Sequence, residues 1–277
     1  MWRLFGRFGL LAPSLVLLLL FGFSVLKLIQ LSLTVDGTLS FGNYVEFFAR
    51  TDYIAIFLRT FWVSAAVTFF CILVGYPIAY GIWRYRGNRN YLLILVVMPW
   101  LVSIVVRTYG WMVILAPRGV INDVLAWTGL IHAPLRLMFN TTGVIIGLVH
   151  VLVPFMIIAV LSVMLQMERR LEEASMSLGG GRVYTFVHVT LPLSLPGVIS
   201  GTMLIYLLST GAIVTPILLG GIQERMVGTQ IYQEVMQTFN FPKASTLAFL
   251  LLLGGLVVIL PLQWLERRVS RMVGNEG

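Results

Sequence analysis

Glu173 opens a polar, glycine-broken stretch, running EASMSLGGGRVYTFVHVTLP over 173–192, in a chain that is otherwise very apolar. Its residue types suit docking to another molecule and not covalent chemistry. From Glu168 the chain is helix-compatible, and Leu171, Ala174 and Leu178 recur at i, i+3 and i+7, giving one apolar stripe flanked by charges. Gly179, Gly180 and Gly181 then end that helix, because glycine accepts the positive φ of the residue that follows a helix C-terminus. A second short amphipathic piece carries Val183, Phe186, Val187 and Val189 before Leu191 and Pro192. The expected product is a helix-turn-helix over about 168–192 whose small hydrophobic face fits a groove on another protein. The plainer alternative is an interfacial helix lying on lipid headgroups.

Arg107 is the other residue with chemistry to offer. A guanidinium inside an apolar run is costly unless it is paired or meets water, so it marks a functional or network site. Together with Trp100, Ser103, Tyr109 and Trp111 it forms a candidate translocation path. A cargo bearing a carboxylate could bind Arg107 directly, whereas ammonium groups favour aromatic faces and carboxylates, which would leave Arg107 as a gate or an anchor. A structural role, snorkelling or capping backbone carbonyls, stands beside these readings.

The remaining side chains offer little. Cys71 is the single cysteine, and His132, His150 and His188 are scattered without metal-ligand spacing. The two lysines, Lys27 and Lys243, follow Leu26 and Pro242, so there is no Gly-Lys-Ser/Thr loop to hold nucleotide phosphates. Every acidic residue falls in a loop or near the end of an apolar run, which argues against membrane catalysis and against the mid-membrane carboxylate of a proton-coupled carrier. No enzymatic activity and no cofactor or metal in this chain are expected.

The elements that position these residues belong in a bilayer. The chain has 277 residues, 58% of them hydrophobic and 11% charged, and its mean hydropathy is +0.93, far above a soluble domain. Six runs reach the about 20 apolar residues that a hydrocarbon core requires: 10–33, 57–83, 91–116, 142–165, 197–219 and 246–265. All are read as helices, because the alternation of a membrane barrel is absent. The first run is too long for a signal peptide and lacks a small-residue cleavage site, so it is read as retained. With both termini inside, the inner segments hold eleven arginines (Arg3, Arg7, Arg84, Arg86, Arg89, Arg169, Arg170, Arg182, Arg267, Arg268 and Arg271) against six basic residues outside (Arg50, Arg59, Arg118, Arg136, Arg225 and Lys243). The Glu173 loop is then cytoplasmic. The net charge of +8 is a topology and headgroup signal that requires no nucleic acid.

The spacing of the polar loop, Glu173-Ala174-Ser175, three residues, Gly179, nine residues, Val189-x-Leu191-Pro192, resembles the EAA loop of binding-protein-dependent ABC importer permeases. Ser175 stands where that pattern has a second Ala, and Val189 where it has Ile. Further matches lie at Leu39 to Tyr44, Gly75 to Tyr80, Arg107-Thr108-Tyr109-Gly110-Trp111, Gly119-x-Ile121-Asn122, Leu152-x-Pro154-Phe155-Met156 and Pro216-x-x-Leu219-Gly220-Gly221. These are similar to the spermidine/putrescine branch of the family. The resemblance implies an all-α, six-span type I ABC importer permease fold, one domain over 1–277, in a bacterial inner membrane. It also implies a second permease subunit in a heterodimer, an ATPase dimer that binds ATP and Mg, and a periplasmic solute-binding protein. Glu173, Ala174, Ser175, Gly179, Leu191 and Pro192 would couple the loop to the ATPase. An ion-coupled secondary transporter or channel acting without an ATPase is the alternative.

Overall fold

The computed structural model describes residues 2–35, 37–168, 170–221 and 224–274. Arg169, one of the arginines in the orientation argument, lies outside the described residues. Among them, six stretches are long and apolar enough to cross a membrane: Pro13–Ser32, Thr51–Arg84, Ile104–Trp127, Thr141–Met164, Arg182–Thr210 and Phe241–Arg271. The chain divides into two compact units, one of 1–55 with 230–253 and the other of 56–229 with 254–277.

In the first unit, α1 (Trp2–Ser32) ends at a two-stranded hairpin of β1 (Thr34–Val35) and β2 (Thr38–Leu39), which turns at Gly37 with φ of +80°. The short helix α2 (Gly42–Ala49) closes the turn. Asn43 donates to the carbonyls of Ser32 (3.3 Å) and Thr34 (3.0 Å), and the Tyr44 hydroxyl meets Ser32 Oγ at 2.7 Å. The bond to Ser32 satisfies a carbonyl that the end of α1 leaves without an intrahelical partner, and together these contacts give the Asn43-Tyr44 pair a structural role. Glu234 is a buried hub of the same unit, accepting from Tyr53 (3.3 Å), Gln230 (2.9 Å) and Thr238 (2.7 Å).

The second unit is built round α7 (Thr141–Met164), whose N-terminus is capped by Asn140 accepting from the Gly143 amide at 2.9 Å. α3 (Thr51–Arg84) and α10 (Leu191–Thr210) meet the Met156 region of α7 through glycine. A Cβ at Gly75 would lie 2.8 Å from Met156 Cγ, and one at Gly201 2.7 Å from Met156 Sδ, so these are contacts of backbone on side chain. Small residues of this kind let membrane helices approach where no hydrophobic driving force holds them together.

Two expected spans differ from the structure. The run 91–116 is two helices, α4 (Arg89–Leu101) and α5 (Ile104–Leu115), separated by extended backbone at Val102 and Ser103. Pro99 lies inside the last turn of α4 and has no amide to donate, which weakens the helix just before the break. The spanning stretch there is Ile104–Trp127, including α6 (Val120–Trp127). Its turn is fixed by Asn122, which donates to the carbonyls of Ala116 and Leu135, each at 3.1 Å, and accepts from the Leu135 amide at 2.8 Å. The expected run 197–219 is replaced by Arg182–Thr210, and 214–219 is a separate short helix, α11 (Val214–Leu219), packed on α5 and α7.

Candidate functional site

The polar loop folds as α8 (Arg170–Ser177), a glycine turn, α9 (Arg182–Thr185), a π turn (Phe186–Thr190) and then α10. Gly179 has φ of +89°, its amide donates to the Met176 carbonyl (3.1 Å), and the Gly180 amide donates to that of Ser175 (3.0 Å). That pair of bonds is the Schellman ending of a helix, so the glycine run stops α8 as expected. Helix α9, the π turn and α10 then run on without a gap, with the Leu191 amide bonded to the Phe186 carbonyl across the wide turn. Pro192 sits in the first turn of α10, directly after the π turn, and has no amide to donate back into it.

Of the residues assigned to this loop, Glu173, Ala174, Gly179 and Pro192 are exposed, while Ser175 and Leu191 are partly buried. The apolar stripe is also open: Leu171 is 47% exposed, and Leu178 is 89%. Ser175, the departure from Ala, bonds Thr185 through its hydroxyl at 2.9 Å and so fastens α8 to α9. The residue that sequence reasoning passed over is Glu172. Only 8% exposed, it accepts a 2.5 Å bond from Thr190, which is fully buried, and lies 4.0 Å from the Arg84 guanidinium. Arg84 donates to the Tyr80 hydroxyl at 2.8 Å, and the rings of Tyr76 and Tyr80 stand edge-on to Phe186. The acidic pair Glu172-Glu173 was the available signal, but it does not say which member faces inward.

The candidate path residues are brought together only in part. An apolar cavity of about 690 Å³ opens in the second unit, lined by Phe70, Pro99, Trp111, His150 and Pro154 among others. Trp111 meets the His150 ring edge-on at 5.4 Å. Trp100 packs edge-on against Phe155 at 5.6 Å but is half exposed, and Ser103 and Tyr109 are exposed as well. Arg107 is near enough to His150 to act on it electrostatically. Its Nε and Nη1 and the His150 Nδ1 are buried with no hydrogen-bond partner within the described residues. Such groups ordinarily find an acceptor, and leaving one without costs about 1–3 kcal/mol. His150 is a second residue that the sequence did not single out.

At the other end of α3, Arg59 Nε lies 3.3 Å from Glu224, which also accepts from the Thr141 hydroxyl. The amide of Val227 donates to Thr60 Oγ1 at 2.9 Å, so the segment after α11 is held to α3.

The model of the family described as binding-protein-dependent transport system inner membrane component matches residues 68–271. The spermidine/putrescine transport system permease protein PotB of Escherichia coli (strain K12) is 30% identical over 226 residues, covering 81% of this chain and 80% of that protein. The protein of the same name from Haemophilus influenzae is 34% identical over 237 residues, covering 83% and 81%. Among solved structures, a bacterial ABC transporter involved in the import of the acidic polysaccharide alginate superposes with a TM-score of 0.72 over 95% of both chains at 20% identity. The MetNI methionine ABC transporter, in an inward-facing conformation, gives 0.56 over 81% of this chain and 99% of that one at 18% identity.

Proposed function

Because the chain belongs to the family of binding-protein-dependent transport system inner membrane components, a permease of an ABC importer, we propose that it forms the translocation path for a polyamine or a related small organic ion by ATP-driven alternating access. The observation that carries this reading is α8. It is a short helix with an exposed acidic residue, Glu173, and an exposed apolar stripe, and it is locked at its base by Ser175 and Glu172 while its outer face stays uncovered. A face that is rigid and uncovered suits a groove on a partner.

On this reading the partner is a dimer of ATPase subunits that bind ATP and Mg on the cytoplasmic side. Glu173, Ala174, Ser175, Gly179, Leu191 and Pro192 couple its closure to the spans. A second permease subunit completes a heterodimer, and a periplasmic solute-binding protein delivers cargo on the outer side. An alginate transporter of the same fold was solved in complex with its pentasaccharide-bound periplasmic protein. Polyamine cargo is supported by the two PotB relatives. Both termini are cytoplasmic, following the arginine asymmetry.

The test is reconstitution of the four-component system. Glu173→Lys places a reversed charge on the docking face, where like charges brought together cost several kcal/mol. It should remain inserted in the membrane and lose uptake of labelled spermidine together with cargo-stimulated ATP hydrolysis. Normal uptake and hydrolysis in that variant would remove α8 from the coupling role.

A further inference from the structure

We propose that Glu172 is the positioning residue that ties the docking helix α8 to two spans at once, α10 through Thr190 and α3 through Arg84, so that a displacement of α8 is delivered to both. The proposal rests on reading α8 as the ATPase-docking element. Four observations carry it. Glu172 is buried although its neighbour Glu173 is exposed, so the two carboxylates divide the work, one facing inward and the other facing the partner. The inward carboxylate has two oxygens and uses both: Oε1 accepts from Thr190 at 2.5 Å, and Oε2 faces Arg84 at 4.0 Å.

The third observation is the position of Thr190. It is the last residue of the π turn, immediately before α10, and it is fully buried. A π turn is a local widening of the helix that recurs at functional sites, and here its last residue is the one that Glu172 holds. The fourth is the path into α3. Arg84 closes α3, donates to Tyr80 one turn earlier at 2.8 Å, and lies over the Tyr80 ring at 5.6 Å. Tyr80 and Tyr76 both pack on Phe186 of the π turn, and the Tyr76 hydroxyl meets Ser194 of α10 at 2.9 Å in a buried bond. The ends of α3 and α10 are therefore already joined, and Glu172 is the charged group that adds α8 to them. A hydrogen bond to a buried ionised group is stronger than one between neutral partners, so this contact is suited to carry force where the exposed stripe of α8 is not.

The experiment uses the complete reconstituted importer with four variants: Glu172→Ala, Thr190→Val, Thr190→Ser and the double variant Glu172→Ala with Thr190→Val. Membrane insertion and copurification of the ATPase are measured first, then basal ATP hydrolysis, its stimulation by the loaded binding protein, and uptake. Glu172→Ala and Thr190→Val should keep the ATPase and its basal rate while stimulation and uptake fall about tenfold. Thr190→Ser, which keeps the hydroxyl, should restore both. The double variant should be no worse than Glu172→Ala, because the two residues act through one bond. Wild-type stimulation in Glu172→Ala and Thr190→Val overturns the proposal, as does loss of the ATPase from either, which would assign the pair to assembly. Equal damage by Thr190→Val and Thr190→Ser also overturns it. Glu173→Lys, run alongside, tests the docking reading separately: if it behaves as wild type the docking reading fails, whatever the Glu172 series shows.

Discussion

At the scale of single residues, the membrane interior sets the terms for Arg107. An arginine stays charged under any ordinary condition, and two of its nitrogens are buried without an acceptor among the described residues. Leaving such a donor without an acceptor costs about 1–3 kcal/mol, so an acceptor that reaches it, water included, relieves that cost. In a Cys71→Ala background, Ser103→Cys at the exposed helix break should react with a small hydrophilic thiol reagent, and the rate should change when ATP and loaded binding protein are added. Arg107→Ala should lower uptake at least tenfold while leaving assembly of the complex intact, as about 1.4 kcal/mol of lost stabilisation would do. Unreactive Cys at 103 with normal uptake by Arg107→Ala would take Arg107 out of the path. What could be read at this scale was residue type; what could not was direction. The Glu172-Glu173 pair and the cluster from Trp100 to Trp111 were visible in the chain. Which carboxylate is buried depends on Thr190, 18 positions away, and which ring lines the cavity depends on His150, 39 positions beyond Trp111.

Among the elements, the turn after α8 is the most demanding. Gly179 holds φ of +89° in open space, with no atom near enough to meet an added Cβ, so substitution there acts through the backbone alone. A non-glycine residue in the left-handed region costs about 1–2 kcal/mol, and a β-branched one more. Gly179→Val should depress cargo-stimulated hydrolysis more than Gly179→Ala, and Gly179→Asn should be mildest; an equal effect of all three would deny backbone strain its role at this turn. The second element with a defined response is α2. Glu46 accepts from Lys243 at 2.7 Å, and that bond, aided by the Coulomb attraction of Lys243 and by Arg50, holds its carboxyl below the ordinary carboxylate range against the opposing effect of partial burial. Because the folded value is depressed, the pair stabilises the first unit above the unfolded carboxylate pKa, and the contribution is lost as pH falls through the folded one. Exposed as it is, the pair is worth at most about 1 kcal/mol. Thermal unfolding in detergent should show Glu46→Gln slightly less stable than wild type at neutral pH and equal to it once the carboxyl is protonated in acid; a difference that persists in acid would deny the pair its electrostatic role. Helix existence was legible because a bilayer demands long apolar runs. The break at Val102 and Ser103 was not, since the residues on either side are as apolar as those of a continuous helix, and Pro99 alone does not fix where a helix stops.

For the whole molecule, the arginine asymmetry predicts an orientation. Reporter fusions after Arg89 and Arg170 should read cytoplasmic, and fusions after Asp52, Arg118 and Glu234 periplasmic; the reverse pattern would invert the docking side. Six spans were legible from composition, but the division into two compact units was not, because one of them joins 1–55 to 230–253, segments that no local pattern connects. Helix α7 carries a further consequence. Its stretch has the highest mean hydropathy of the six, 2.9, and also the largest buried share, 56%. A segment that apolar is able to enter lipid on its own hydropathy, without α10 to cover it. The helix at the heart of the second unit is therefore the stretch best suited to stand alone in lipid, and Gly197 and Gly201 of α10 are where a later segment closes on it, against Val160 and Met156.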